Sequence, residues 1–358
     1  MHSRIIFPAY LFMVLVATSS FRLSAAAEMQ SNQSHAPASG EAQQPEPDVQ
    51  QPPRLQRLGK HTFPVSTRNP LAQQYINQGL NLAYGFNHAE ARQAFREAAR
   101  LDTGLAMAYW GQALVLGPNI NAMMEPNEEP HALEILQHAK SLMARASPKE
   151  QALINALEKR YTGKAEHRTT NDKAYAAAMR DVHQRYPDDP DIAMLYVESM
   201  MDLRPWGYWM VDGTPYEGTA EIVALTEDVL RRYPEHPAAL HMYIHLIEPT
   251  STPERAEKAA DTLLALMPEA GHMIHMASHI YQRVGRYADS IKSNQLAIAA
   301  DEAYIAQDHA HGLYPMVYYP HNIHFLWFAA TMDGQSRMAI ESAQETAQKI
   351  DDDVLKAI

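Results

Sequence analysis

Histidines in the second half of the chain recur at spacings that place several imidazoles on one helical face. His272, His275 and His279 stand at i, i+3 and i+7, and residues at these intervals share one face of an α-helix. His241 and His245 stand at i and i+4 and do the same. With one acidic residue and a further pair, the candidate metal ligands are His241, His245, Glu248, His272, His275, His279, His321 and His324.

Imidazole nitrogen is a ligand for zinc, iron, nickel and copper. The chain contains no cysteine, so thiolate metal sites and disulfides are excluded. Met242, Met273 and Met276 lie between the histidines and would offer thioether ligands to Cu(I), although methionines at such positions are more often core. The sequence therefore predicts a divalent metal (Zn, Cu or Fe) as cofactor, and otherwise none.

Two other functions fit the same histidines. A row of imidazoles can hydrogen-bond a peptide or an anionic group without metal. A metal-dependent enzyme is the third hypothesis, but His241 and His245 lack the glutamate of a zincin motif, and no nucleophile elbow, phosphate loop or dinucleotide fingerprint is present. We therefore favour a binding or scaffold protein, predict no catalytic residue and leave enzymatic activity open.

Four further residues are candidate ligand contacts. Trp206 and Trp209 lie in a segment rich in aromatic and turn residues, where they would either stack on a ligand or wedge the segment against its neighbours. Asn119 and Asn121 follow a predicted helix, where they would either bind a ligand or cap and turn the chain.

Paired helices are the elements that must position these residues. Tyr75 and Gly79 fall on a first predicted helix, and Ala91 and Phe95 on a second. The small residues Gly79 and Ala91 let the two helices approach closely, and Phe95 fills the space beside them. The same kind of unit continues along the chain, with residues 185–190 (RYPDDP) recurring as 232–237 (RYPEHP) before equivalent helices.

This pattern resembles the tetratricopeptide-repeat superfamily over about residues 70–350. The chain is also similar to a group of exported bacterial repeat proteins through residues 106–111 (AMAYWG), 203–206 (LRPW) and 271–281 (GHMIHMASHIY). The resemblance implies an all-α solenoid over 58–350, with about five to six helix pairs. We expect two inserted helices, around 130–145 and 148–161, and an inserted loop at 204–219.

The resemblance also implies a concave groove that binds a protein or peptide partner. Aligning the units places His241, His272 and His321 at equivalent positions of three successive first helices, and His275 coincides with His324. In this superfamily such positions line the groove. We therefore expect the histidines to face one open concave surface, where they would hold a metal ion or a metal-bearing ligand, or would contact a peptide.

The net charge of −12 argues against nucleic acid as a partner, because binding to phosphates requires a basic surface. The same charge argues against binding to anionic membranes. Cations, and basic or neutral partners, remain compatible with this composition.

Both ends of the chain carry segments outside the solenoid. Residues 1–27 read as a signal peptide, with an apolar run at 5–17 and small residues at 25–27 that favour cleavage before Glu28; an uncleaved anchor is the alternative. Residues 28–57, rich in Gln, Pro and Ser, are predicted to be a disordered linker. We expect a protein exported to the periplasm or beyond, with no membrane insertion after cleavage. The tail at 351–358 is short for a capping helix, so we expect a dimer contact there or a longer native chain.

Overall fold

The computed structural model describes residues 52, 54, 55, 57–308 and 314–350. The predicted signal peptide, most of the predicted linker and the predicted tail lie outside these residues. The end of the linker segment differs from the expected disorder. Leu55 and Arg57 donate backbone N–H groups to the side chains of Gln78 and Glu269, respectively, at 3.1 and 2.9 Å.

The prediction of an all-α solenoid is confirmed, since the described residues form fourteen α-helices and no strand. The helices are α1 (Pro70–Tyr84), α2 (His88–Leu101), α3 (Ala106–Leu114), α4 (Glu128–Ser141), α5 (Pro148–Leu157), α6 (Arg168–Arg185), α7 (Pro190–Met201), α8 (Thr219–Arg232), α9 (Pro237–Ile247), α10 (Glu257–Leu266), α11 (Gly271–Val284), α12 (Tyr287–Asp308), α13 (Tyr319–Met332) and α14 (Ser336–Lys349).

Consecutive helices pack as seven pairs within the described part of the chain, from α1 with α2 to α13 with α14. The two expected extra helices are present as α4 and α5. They are not insertions into the array, because α4 packs on α3 and α5 packs on α6, and each completes a pair. The segment at 204–219 lies between α7 and α8, as expected of a loop.

The recurrent segments 185–190 and 232–237 each lead into the first turn of a helix. Asp189 accepts a hydrogen bond from the backbone N–H of Ile192, and Pro190 occupies the first turn of α7, where a missing N–H costs nothing. The second copy uses a histidine in the same way. The His236 side chain accepts from the Ala239 N–H at the start of α9.

Close packing in the first units depends on glycines beside one aromatic ring. A Cβ added at Gly79 would lie 2.8 Å from the Phe95 ring, and one at Gly111 would lie 2.5 Å from the same ring. Both distances are shorter than carbon–carbon contacts allow. The predicted fit of Phe95 against Gly79 is therefore confirmed, and Phe95 also packs against the next first helix.

The stack of pairs closes on itself. Helix α9 packs not only on α7 and α11 but also on α1. The hydroxyl of Tyr304 in α12 donates to Oε1 of Glu90 in α2 at 2.9 Å. As a result, the turn between α1 and α2 lies on the concave side of α9 and α11, where an open groove was expected.

A buried carboxylate also stabilises the contact between α1 and the later helices. Oδ1 of Asp191 accepts hydrogen bonds from Nε2 of His61 and from the Tyr84 hydroxyl, both at 2.8 Å, and Nε2 of His236 lies 3.3 Å away. Burial by itself would raise the pKa of Asp191, but the hydrogen bonds from His236 and His61 outweigh it and hold this pKa well below its ordinary range. The N-terminal segment, α1, α7 and α9 thus meet at one charged group.

No helix in the described ranges has the length and hydropathy needed to cross a membrane.

Replacing Gly79 with alanine tests the fit against Phe95. Alanine favours a helix by about 1 kcal/mol over glycine, but the overlap with the ring should cost about 1–3 kcal/mol. We expect Gly79→Ala to lower the free energy of unfolding by about 1–2 kcal/mol in urea denaturation. In a Phe95→Leu background the same change should become neutral or stabilising. A Gly79→Ala variant that is more stable than wild type would contradict this packing.

Candidate metal centre

Six of the predicted histidines meet in the interior of the closed stack. Their donor nitrogens form two groups of three, within each of which the atoms lie no more than 4.8 Å apart. The first triad is His241, His245 and His272, and the second triad is His275, His279 and His321. All six are buried, with exposed fractions from 0% for His241 and His275 to 8% for His279.

In the first triad the protonation of His241 is set by a backbone group. Its Nδ1 lies 2.6 Å from the carbonyl oxygen of Tyr84, which can only accept, so Nδ1 carries the proton and Nε2 carries a lone pair. Nε2 of His245 faces that lone pair at 2.9 Å. Among the described residues, Nδ1 of His245 and both nitrogens of His272 have no hydrogen-bond partner.

The second triad brings two Nε2 atoms into close contact. Nδ1 of His275 lies 2.7 Å from Oδ1 of Asn294, and that amide is oriented by its Nδ2, which donates to the Ser290 carbonyl. Nδ1 of His275 therefore carries the proton, and its Nε2 lone pair faces Nε2 of His279 at 2.9 Å. Nδ1 of His279 lies 2.7 Å from Oε2 of Glu248, an oxygen that accepts no hydrogen bond from the described residues.

Aromatic side chains enclose both triads. The ring centroids of Phe86 and His241 are 4.6 Å apart. Trp206 stands edge-on to His245, with ring centroids 4.9 Å apart. In the second triad, Phe325 lies 4.5 Å from His279. Phe86 and Trp206 have φ values of 58° and 62°, a left-handed conformation that is uncommon for such side chains and concentrates at functional sites.

Burial keeps five of these imidazoles neutral. It lowers the pKa of His241 to about 4 and holds the pKa values of His245, His272, His275 and His321 well below the ordinary range. Neutral imidazole is the form that binds a metal. These five histidines are therefore ligands that need no deprotonation at neutral pH.

Two of the predicted ligands occupy other places. The Glu248 carboxylate lies 2.7 Å from Nδ1 of His279, so it stands behind this histidine instead of among the ligand atoms. His324 is half-buried and packs against Trp327, with ring centroids 5.4 Å apart. It misses the second triad because the inward face of α13 runs through His321 and, one turn later, Phe325.

Of the four other predicted ligand contacts, one reaches a triad and three have structural roles. Trp206 reaches the first triad, whereas Nε1 of Trp209 donates to the Leu246 carbonyl at 2.7 Å and fastens the loop to α9. Oδ1 of Asn119 accepts from the backbone N–H of Asn121 and of Ala122. Asn119 and Asn121 thus form a turn, which was the alternative interpretation of their position.

Sequence reasoning missed Phe86, Asn294 and Phe325. Phe86 lies in the turn after α1, and its contacts with the histidines of α9 and α11 depend on closure of the stack. Asn294 lies in α12, on a face that pairs with α11. The position of Phe325 could have been predicted, since it follows His321 by four residues and so lies on the same face of the helix.

The third group of potential ligands, His61, Asp191 and His236, is chemically different. The Asp191 oxygen accepts from donors already described, and Nδ1 of His236 accepts the Ala239 N–H. The Asp191 carboxylate is thus hydrogen-bonded without a cation, so we assign this group a structural role.

No protein-family model and no curated protein matches the chain. Among solved structures, the TPR2AB domain of yeast Sti1 in its pHSP90 complex is 13% identical, with 73% of this chain and 99% of that chain covered and a TM-score of 0.25.

Two further solved structures are similar at the same level. The human IFIT1 dimer with PPP-AAAA is 12% identical, covering 77% of this chain and 72% of that chain at a TM-score of 0.33. The assembly chaperone of RpL4, Acl4, is 13% identical, covering 77% and 88% at a TM-score of 0.28. Because every TM-score is below 0.5, the functions of these proteins are not transferred to this repeat protein.

Two matched substitutions test the hydrogen-bonding difference within the first triad. In chelator-treated protein, His272→Phe should leave the free energy of unfolding unchanged or raise it by about 1–2 kcal/mol, because an unpartnered buried polar group is removed. His241→Phe should lower it by about 1–3 kcal/mol, because the Tyr84 carbonyl loses its donor. Urea denaturation measures both, and equal losses of stability would contradict the assignment.

Proposed function

We propose that this protein is a metal-binding repeat protein whose closed interior holds two transition-metal ions, one in each triad. The observation that carries the proposal is the convergence of six buried histidines, whose ligand nitrogens form two groups of three with the atoms of each no more than 4.8 Å apart. Among the described residues, both nitrogens of His272 have no hydrogen-bond partner, and leaving a buried polar group unpartnered is costly. A metal ion bound by the triad would supply that partner.

The donor set favours borderline metals. Each triad offers three imidazole nitrogens, and the absence of cysteine leaves no thiolate. Calcium and magnesium prefer oxygen ligands, whereas zinc, copper, iron and nickel accept imidazole. Three protein ligands leave a coordination position open, which is the arrangement of metal sites that bind a further small ligand.

The groups behind the histidines support the same proposal. The Tyr84 carbonyl and the Asn294 amide each accept a hydrogen bond from one Nδ1 and direct the matching Nε2 inward. The Glu248 carboxylate lies 2.7 Å from Nδ1 of His279. Metal-bound histidines typically have such partners, which fix the tautomer and the orientation of the ring. The unpartnered nitrogens of His272 add donors that face the same interior.

A peptide partner is the alternative function, because stacked helix pairs are a common scaffold for binding proteins. The Tyr84–Phe86 turn occupies the concave surface beside His241 and His272. A peptide would therefore bind on another part of the surface, and the histidines would not contact it unless the stack opened.

We also propose that the protein acts outside the cytoplasm, on the basis of the apolar run at 5–17 and the small residues at 25–27. Amino-terminal sequencing of exported protein should begin near Glu28. Exported protein that still begins at Met1 would contradict cleavage.

Metal stoichiometry tests the two-site proposal. Calorimetric titration of chelator-treated protein with Zn(II) and Cu(II) should show two ions per chain for wild type and one for either His272→Phe or His321→Phe. The double variant should bind none in the interior. Bound metal should also raise the melting temperature, since a ligand at 100 times its Kd stabilises the folded state by about 2.7 kcal/mol per site.

His324→Gln provides the matched control, because this histidine lies on the same helix as His321 but outside both triads. The His324→Gln variant should bind two ions per chain. If the double variant binds as much metal as wild type, the metal sites lie elsewhere. If folded wild type binds no metal, peptide binding becomes the better account.

A further inference from the structure

The two triads form one continuous cluster of rings. Across the boundary between them, the ring centroids of His272 and His275 are 6.0 Å apart, and those of His245 and His279 are 6.1 Å apart. Within the first triad, His245 and His272 are 6.4 Å apart. Most pairs within a triad are closer, at 4.7–5.0 Å, but the spacing across the boundary does not exceed the widest spacing within a triad, so ions in the two triads would be close neighbours.

The charge of the donor set limits which ions suit it. The six histidines bring no negative charge, and the Glu248 carboxylate lies behind His279. Two divalent ions bound without an anion would place four positive charges among Phe86, Trp206 and Phe325, so they would bind together with an anionic ligand, because charges buried without compensation are costly. Two Cu(I) ions would place only two there. Imidazole is also a suitable ligand for copper in both of its oxidation states.

One small cleft reaches the first triad at His272. The cleft is also lined by Gly85, Tyr304 and Tyr314, and its interior has room for about one water-sized molecule. The Tyr314 hydroxyl closes one side, since it accepts from the His272 N–H at 3.1 Å and donates to Asp301 at 2.8 Å. A small ligand suits a cleft of this size.

We propose, building on the metal-binding function above, that the two triads form one binuclear copper centre that binds dioxygen between two Cu(I) ions. Each Cu(I) gives one electron to dioxygen, whose O–O double bond becomes a single bond. The products are two Cu(II) ions and one bound peroxide, and no proton is required. The two negative charges of peroxide offset the two positive charges gained by copper, so the net charge of the buried site is unchanged.

Dioxygen uptake by the copper-loaded chain tests this proposal. Wild type is loaded with two equivalents of Cu(I) without oxygen and then exposed to it. An oxygen electrode should record one O₂ for every two copper ions. Electron paramagnetic resonance should show little Cu(II) signal, because the spins of two bridged Cu(II) ions couple. Two full, independent Cu(II) signals would overturn the pairing.

Variants that lack one histidine of a triad provide a second test. His272→Phe and His321→Phe should each retain one copper ion yet lose essentially all stoichiometric O₂ binding, whereas independent sites would retain half. His324→Gln should behave as wild type. The wild-type resonance measurement decides the question even if a variant fails to fold. If wild type binds no copper, the metal-binding function itself fails; if it binds two uncoupled ions, only the binuclear proposal fails.

Discussion

The hydrogen bond from His241 to the Tyr84 carbonyl joins the closure of the fold to the chemistry of its interior. On one side it holds the end of α1 against α9, which turns an open stack into a closed one. On the other side it fixes the proton on Nδ1 and leaves the Nε2 lone pair facing His245. The same contact therefore removes the groove from solvent and prepares a metal ligand.

The two kinds of buried polar cluster in this fold differ in how completely they are satisfied. Asp191 receives hydrogen bonds from His61 and Tyr84, and this network stabilises the contact between distant parts of the chain. Among the described residues, His272 has no partner for either nitrogen, at a cost of about 1–3 kcal/mol for a buried polar group. Natural cores rarely retain such a cost unless a ligand or a function compensates for it.

Local sequence patterns predicted much of the architecture. The pairing of Gly79 with Phe95 and the prolines that begin α7 and α9 depend on residues close together in the chain, so periodicity and turn chemistry were sufficient. The helical spacing of His241 with His245 also predicted a shared face correctly. The buried state of Met242, for which core was the favoured interpretation, is confirmed.

What covers that shared face could not be predicted. The histidines do not line an open groove, because α1 packs on α9 through contacts between residues far apart in the chain. Repeat alignment equated His275 with His324, but equivalent positions need not have equivalent surroundings, and Phe325 takes the inward place on α13. Glu248 was correctly placed near the histidines, yet only the structure showed that it lies behind His279.

The most direct test of the account is anomalous diffraction at the copper absorption edge, on crystals of the full chain loaded with copper. The account predicts two strong peaks in the buried interior, one within each triad, each about 2 Å from the ligating imidazole nitrogens. Peaks confined to exposed histidines such as His131, with none inside the triads, would contradict it.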